Sequence, residues 1–245
     1  MRGPLSIVAA TVASLFFALG VLAGSLTVNP VRIVLTPEEP VQTMRIQNTG
    51  SDTSRIQLRL FAWRQEGGKD VFEETRDVLV NPGLFEIGAK GEQIARFGLR
   101  TSPGTTEKSY RVFVEEVPDA RLSQPGVVRT LLRISIPIFL PAHEAIARLD
   151  WRLWTTPDNK SMVSVSNTGA AHVQISGIVF TRGATKLGAT AMSVYLLPGA
   201  SQQISLNLEK PIRAGDAVKL EATTDQARFT ADLVAESNSR EAGRP

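Results

Sequence analysis

The sequence predicts an all-β protein made of two β-sandwich domains. Segments in which apolar and polar residues alternate recur at roughly 8–12-residue spacing, separated by turn residues, and helical periodicity is nearly absent. Two turn motifs also occur twice. Asn48-Thr49-Gly50 returns 119 residues later as Asn167-Thr168-Gly169, and Pro82-Gly83 returns 116 residues later as Pro198-Gly199. Because the two offsets are nearly equal, they indicate two domains of similar topology.

The N-terminus differs from the rest of the chain. Met1-Arg2 is followed by an apolar run from Leu5 to Leu22 and by the small residues Ala23, Gly24 and Ser25. This layout predicts a secretory signal peptide over residues 1–24. The alternative is an uncleaved membrane anchor, since the run approaches the ~20 residues that span a bilayer.

Charge and cysteine content indicate which partners and which chemistry to expect. The net charge of +3 is small for 245 residues and the charges are scattered, which argues against nucleic acid as a partner. The chain has no cysteine. An exported protein of this kind has no disulfide framework and no thiol chemistry, so its hydrophobic cores must hold it together.

The first domain is predicted to span residues 25–141. Seven alternating segments in roughly 115 residues are the strand count of an immunoglobulin-like sandwich. They are Ser25–Val28 with Val31–Leu35, Thr43–Gln47, Arg55–Phe61, Leu84–Ile87, Gln93–Phe97, Tyr110–Val114 and the long run Val127–Leu140.

The second domain is predicted to span residues 142–236, and Leu140-Pro141-Ala142-His143 is predicted to be the linker. The alternation restarts at Met162–Ser166 and continues at Val173–Ile178, Gln203–Leu206 and Ala217–Ala222. Residues 237–245 are polar and are predicted to be a frayed tail.

Residues that carry catalytic chemistry are scarce. The two histidines, His143 and His172, have no partner at metal-ligand spacing, and both are interpreted as surface residues. Glu115 and Glu116 are adjacent on a strand, so their side chains point to opposite faces and cannot act as an acid/base pair. The sequence therefore predicts no enzyme, metal, cofactor or small-molecule substrate.

Several motifs of the first domain, taken in order, carry a family resemblance. They are Val28–Leu35, Arg45–Gly50, Phe61–Gln65, Asn81–Ile87 with Gln93–Phe97, Glu107–Pro118 and Ile134–Pro141. The set resembles the periplasmic pilus-assembly chaperones of the PapD-like superfamily. Ile136-Pro137 stands where the P-pilus branch has Lys-Leu, and is more similar to the archaic Csu-type branch. The resemblance implies two immunoglobulin-like sandwiches in an L- or boomerang-shaped arrangement, located in the periplasm.

The resemblance also implies a mechanism. Pilus subunits are incomplete immunoglobulin folds that lack a strand, and such chaperones lend them one before delivery to an outer-membrane usher. The lent strand would lie in the Val127–Ile138 run, with Val128, Thr130, Leu132 and Ile134 on one face. Alternation alone leaves open which face packs on the chaperone's own core, and a bulge could switch it.

Basic residues anchor the subunit's C-terminal carboxylate in this family. Arg32 matches the family's first-strand arginine, while the family's second anchor, a lysine, aligns with Ile136. Arg111 and Arg133 are the candidate substitutes, because a guanidinium binds a carboxylate in a bidentate manner. Glu116 and Asp225 resemble the acidic residues of the family's interdomain ion-pair network.

Two other functions stay open. One is a structural or adhesive immunoglobulin-like protein of a surface or pilus, although the first strand begins almost at the cleavage site and leaves no donor extension. The other is a carbohydrate-binding or enzyme-accessory sandwich, although the three Trp and two Tyr residues do not cluster.

Overall fold

The computed structural model describes residues 26–118, 130–158, 160–208 and 210–237. Those residues form β-strands and connecting turns with no helix. The predicted signal peptide, Val128 of the predicted donor strand and residues 238–245 of the predicted tail lie outside the described residues.

Ten strands build the first sandwich. They are β1 (Leu26–Asn29), β2 (Ile33–Val34), β3 (Val41–Asn48), β4 (Ser54–Glu66), β5 (Lys69–Glu74), β6 (Val78–Asn81), β7 (Leu84–Ile87), β8 (Glu92–Leu99), β9 (Lys108–Glu116) and β10 (Arg133–Leu140). One sheet has the order β1-β3-β8-β6. The other has the order β2-β10-β9-β4-β5, with β7 paired to β4.

Eight strands build the second sandwich. They are β11 (Leu149–Thr155), β12 (Ser161–Asn167), β13 (Val173–Arg182), β14 (Thr185–Leu196), β15 (Ser201–Leu206), β16 (Ala217–Thr224), β17 (Arg228–Val234) and β18 (Glu236–Ser237). Its sheets have the orders β15-β12-β11-β18 and β14-β13-β16-β17.

Alternating burial explains how the sheets pack. On β9, Tyr110, Val112 and Val114 point into the first core, and Met44, Ile46, Phe97 and Ile138 meet them from other strands. A second core forms around Val163, Val165, Ile175, Phe180 and Leu220. Period-2 alternation places every second side chain on the inner face, so the apolar pattern of the sequence becomes two separate cores.

The repeated Asn-Thr-Gly motif forms the same turn in both sandwiches. Asn48 and Asn167 each end a strand and are fully buried. The amide of Asn48 donates to Ile87 O and Gly88 O, and that of Asn167 donates to Ala171 O and Leu196 O. Each side-chain oxygen accepts from the glycine nitrogen two residues later, at 2.9 and 3.0 Å. A buried Asn that meets its hydrogen bonds in this way ties the turn to a neighbouring strand.

Candidate functional site

An aromatic contact joins the two sandwiches. Trp63 of β4 and Phe139 of β10 are buried against the core of the second sandwich. Their rings lie 6.2 Å apart, and each lies near the ring of Tyr195 from β14, at 5.5 and 6.1 Å. Trp63 therefore lies at the interface between the two sandwiches, although it belongs to a strand of the first.

Polar groups fix the same contact. Gln65 donates to Tyr195 O at 3.0 Å and accepts from Leu197 N at 3.0 Å. The backbone nitrogen of Glu107 donates to Ala170 O at 2.9 Å. Because these bonds run to backbone atoms of the second sandwich, they set the position of the two sandwiches along β4 and β9.

Arg32 lies between β1 and β2 and reaches across the interface. Its guanidinium forms a 2.7 Å ion pair with Asp225 and donates to Gln174 Oε1 at 2.9 Å and to Tyr195 Oη at 3.2 Å. Burial lowers the pKa of Arg32, but the hydrogen bonds and charges of Tyr195 and Asp225 outweigh burial and leave that pKa above its ordinary value. The charge of Arg32 is therefore already balanced within the molecule.

Arg111 lies on the outer face of β9, and its charge has far fewer partners than that of Arg32. Its guanidinium carbon stacks 3.8 Å from the Trp63 ring centre and lies 5.1 Å from that of Tyr195. Its Nε is buried and has no hydrogen-bond partner among the described residues. Burial lowers the pKa of Arg111, and the charges of Asp70 and Tyr195 offset only part of that effect. A carboxylate that entered beside Arg111 would complete its hydrogen bonding.

Arg133 starts β10 on the same outer face. It pairs with Glu115 at 2.9 Å and lies over the Phe113 ring at 4.1 Å. More than half of its side chain is exposed. Its charge is therefore taken up by a neighbour within the same sandwich.

The acidic partner of the second sandwich is Glu107 and not Glu116. Glu116 lies at the opposite end of β9, where it accepts from Ser54 Oγ at 3.1 Å and from Leu132 N at 3.4 Å, both within the first sandwich. Glu107 accepts from His172 N at 3.1 Å and lies 2.7 Å from His172 Nδ1. The Glu107 end of β9 therefore meets the second sandwich, whereas Glu116 bonds within the first. The apolar alternation of a strand does not reveal which of its ends contacts another domain.

Asp225 follows β16 and lies at the interface. Besides Arg32, it accepts from Gln174 N at 2.8 Å, and it lies 3.7 Å from His172 Nε2. The interpretation of His172 as a surface residue is wrong, since it is only 7% exposed. Its ring stacks on Phe139 with centres 3.5 Å apart. Glu107, His172, Asp225 and Arg32 thus form one connected cluster between the sandwiches.

The edge of β10 is only partly covered by another described strand. On one side β10 pairs with β9 along its whole length, and on the other side β2 pairs only at Ile138 and Phe139. Phe139 O accepts from Leu35 N on the β2 side, whereas Leu132 O accepts from Glu116 N on the β9 side. Because backbone groups alternate in direction along a strand, those of Arg133 and Ser135 face the uncovered side. The nitrogen of Pro137 faces the same side, so its lack of an N–H removes no hydrogen bond from the β9 ladder.

The side chains of β10 alternate between the core face, which takes the even-numbered residues, and the outer face. Ile136 and Ile138 are buried in the first core, while Ile134 is half-buried against it. Leu132 is half-buried and Thr130 is exposed, and both lie before the strand, which is shorter than the predicted run. The ladder to β9 ends there because the next residue of that chain whose backbone nitrogen would face β10 is Pro118, which has no N–H. The nitrogen of Val117 faces β4 and bonds to Arg55 O. Burial therefore decreases toward the start of β10.

The described ranges contain neither a membrane-spanning helix nor a cluster of metal ligands. No helix in residues 26–118, 130–158, 160–208 and 210–237 is long and apolar enough to cross a membrane. Across those same ranges, no group of three or more His, Cys, Asp or Glu side chains is placed to hold a metal ion.

Solved structures similar to this chain are fimbrial chaperones and their complexes. A chain of the CsuC–CsuE chaperone–tip adhesion subunit complex from archaic Csu pili of Acinetobacter baumannii has a TM-score of 0.65 and 19% identity, covering 86% of this chain and 99% of that one. The YadV chaperone has a TM-score of 0.61 and 14% identity, covering 85% and 100%. A chain of the Salmonella enterica SafA pilin–SafB chaperone complex has a TM-score of 0.57 and 16% identity, covering 86% and 97%.

The sequence comparisons give a family. No curated protein sequence matches the chain. Residues 25–143 match the family model described as pili and flagellar-assembly chaperone, PapD N-terminal domain. That segment holds β1 to β10, together with Arg32, Arg111 and the partly covered edge. The first sandwich therefore carries the N-terminal domain of the PapD-like pili and flagellar-assembly chaperones, a match that covers just under half of the chain.

Proposed function

We propose that this protein is a periplasmic chaperone that binds pilus subunits by donor-strand complementation and passes them to an outer-membrane usher. The partly covered edge of β10 carries this proposal. A subunit that lacks a strand exposes a groove with its own unpaired backbone groups, which is an aggregation hazard. A strand with free backbone groups on one side can fill that groove and extend its own sheet into the subunit.

The side chains of β10 support the same role. Leu132 and Ile134 lie on the core side but are only half-buried. When a subunit extends the sheet at this edge, these two side chains are placed to enter its groove, while Ile136 and Ile138 stay in the chaperone's own core. Thr130 and Val128 would continue the same row outward.

Arg111 is the proposed main anchor for the subunit's C-terminal carboxylate. It is partly desolvated, lacks a partner at Nε and lies beside Trp63 at the interface. Arg32 contributes to the positive field, but its primary contact is Asp225. Arg133, paired with Glu115, is the least available of the three.

Co-expression tests the proposal. The chain would be expressed in a periplasm with the pilin-like subunits encoded beside its gene, and complexes would be recovered through a tag on the chaperone. We expect a 1:1 complex in which the subunit resists proteolysis. If no subunit is recovered or protected, the proposal fails and the alternative of a structural or adhesive immunoglobulin-like protein gains support. A second pull-down with the usher's periplasmic domain then tests delivery.

A further inference from the structure

His172 is a buried ionisable side chain that the proposed function does not use. It belongs to the second sandwich and lies between Glu107 of the first sandwich and Asp225 of its own. We propose that His172 is a protonation-dependent bridge: as an imidazolium ion it holds the two sandwiches together and positions the Asp225–Arg32 pair. This inference concerns the free protein and needs no bound subunit.

The position of one ring proton follows from the contacts of Glu107. Its Oε1 atom accepts from His172 N at 3.1 Å and lies 2.7 Å from Nδ1. A carboxylate oxygen can only accept, so Nδ1 carries a proton. This contact exists in both the neutral and the charged forms of the ring.

The second ring nitrogen distinguishes the two forms. Nε2 is buried without a hydrogen-bond partner among the described residues, and it lies 3.7 Å from Asp225 Oδ2. In the neutral ring its lone pair would face a carboxylate oxygen, with no donor nearby. In the imidazolium ion the same nitrogen carries a proton toward Asp225, so the contact becomes attractive.

The charges around the ring favour the same form. Among the described residues, the ionisable groups around His172 are Glu107 just before β9, Asp225 after β16, Arg32 between β1 and β2, and the phenol of Tyr195 on β14, with Arg111 of β9 on the Tyr195 ring. Two carboxylates and one guanidinium leave one negative charge uncompensated in a largely buried cluster. A proton on His172 removes that imbalance, and buried charges are tolerated when they are paired.

Phe139 adds a contact from the first sandwich. Its ring is parallel to the imidazole, with an interplanar angle of 5° and centres 3.5 Å apart. A cation over an aromatic face is attracted by the ring quadrupole, more so when both are desolvated. Since Phe139 and Glu107 both belong to the first sandwich, a proton on His172 strengthens two contacts between the sandwiches.

The direction of the pH effect follows from these contacts. Carboxyl groups are ordinarily ionised above about pH 5, and a histidine side chain ordinarily changes charge between about pH 5 and pH 8. The bridge needs a proton on both ring nitrogens, so a fall in pH favours it and a rise in pH opposes it. As pH rises and His172 loses its proton, the link to Asp225 is lost and the sandwiches move more freely.

A distance measurement between the sandwiches tests this inference. The chain has no cysteine, so Ser51→Cys and Lys186→Cys give two exposed label sites, one in each sandwich. Double electron–electron resonance between spin labels at these two cysteines would record the distribution of distances between the sandwiches at about pH 5.5 and at about pH 8.5, on either side of the usual range of histidine titration. We expect a narrow distribution at acid pH that broadens at alkaline pH. The thermal midpoint should fall over the same range.

Two variants separate the bridge from a merely structural role. His172→Gln keeps a donor for Glu107 but cannot titrate, so its distribution should be the same at both pH values. His143→Gln is the control, because His143 is the other histidine and its side chain is 92% exposed. It should respond to pH like the wild type. An unchanged wild-type distribution, or a pH response that survives in His172→Gln, would overturn the proposal. Glu107→Gln, which keeps the ring, should also reduce the response.

Discussion

The two sandwiches share a turn but use it differently. The side-chain amide of Asn48 bonds within the first sandwich, to Asp52 O, Ile87 O and Gly88 O. The Asn167 turn leads directly into the interface, since Ala170 O accepts from Glu107 N and His172 follows. The same local sequence gives the same local structure in both places. The difference in role comes from neighbours that are distant in sequence.

The last strands differ as well. In the second sandwich the chain leaves β17 and crosses to the other sheet, where β18 pairs with β11. In the first sandwich β10 stays in one sheet, and β2 pairs with only two of its residues. The partly covered edge that the proposed function needs therefore lies on the first sandwich, and the last strand of the second sandwich is paired.

The largest expected effect comes from Ser135→Pro, which tests the edge directly. Proline removes one N–H from the uncovered side of β10 but none from the β9 ladder, and Pro137 already occupies an equivalent position. We expect a folded protein, as judged by circular dichroism, that no longer recovers subunits. Ser135→Ala keeps the N–H and should bind like the wild type. Equal binding by both variants would show that backbone pairing at this edge is not used.

Arg111→Ala should cost the next largest amount. Removing one member of a desolvated charge pair costs about 2–5 kcal/mol, so subunit affinity should fall about 30-fold or more. Titration calorimetry with a peptide of the subunit's last strand would measure it. Arg45→Ala is the matched control, because Arg45 is an exposed ion-paired arginine on the opposite sheet. A similar loss in both variants would indicate a general charge effect.

The shared turn predicts paired stability effects. Asn48→Ala and Asn167→Ala each remove buried hydrogen bonds and leave carbonyl groups unsatisfied, which costs about 1–3 kcal/mol in the free energy of unfolding. Chemical denaturation should show losses of similar size. Only Asn167→Ala should also loosen the interface, and equal changes in the distance between sandwiches would contradict the comparison.

Arg32→Ala should have the smallest effect on stability. Its ion pair with Asp225 is partly exposed, with 32% of the arginine side chain accessible, and pairs of this kind contribute at most about 1 kcal/mol. We expect a thermal midpoint close to that of the wild type and a modest loss of subunit affinity, weaker than for Arg111→Ala. The reverse order would identify Arg32 as the main anchor.

Much of the fold follows from alternation, and the missed strands show its limit. The sequence predicts seven strands in the first sandwich, whereas the structure has ten. Strand β5, with the sequence KDVFEE, lies at a sheet edge and has only one apolar residue on each face, Val71 and Phe72, so it shows no apolar alternation. Strand β11 went unrecognised in the stretch after the linker, where charged residues and tryptophans are mixed. Edge strands need little apolar surface, so period-2 alternation underestimates them.

The site was predictable only in part. Arg32 and Asp225, which resemble family residues, and Arg111, a candidate substitute for the missing lysine, all lie at the interface. His172 and Glu107 were missed because their burial comes from each other across 65 residues of sequence. A sequence pattern reports which face of a strand is apolar. It does not report which end of that strand meets another domain.

The most direct test of the edge assignment is backbone hydrogen exchange at β10. Amide exchange would be followed by NMR in the free protein and in a complex with a subunit. We predict that the amides of Arg133 and Ser135 exchange readily in the free protein and become strongly protected in the complex, while the amides of Ile134 and Ile136 are protected in both. A stable complex in which Arg133 and Ser135 still exchange as in the free protein would contradict strand donation at this edge.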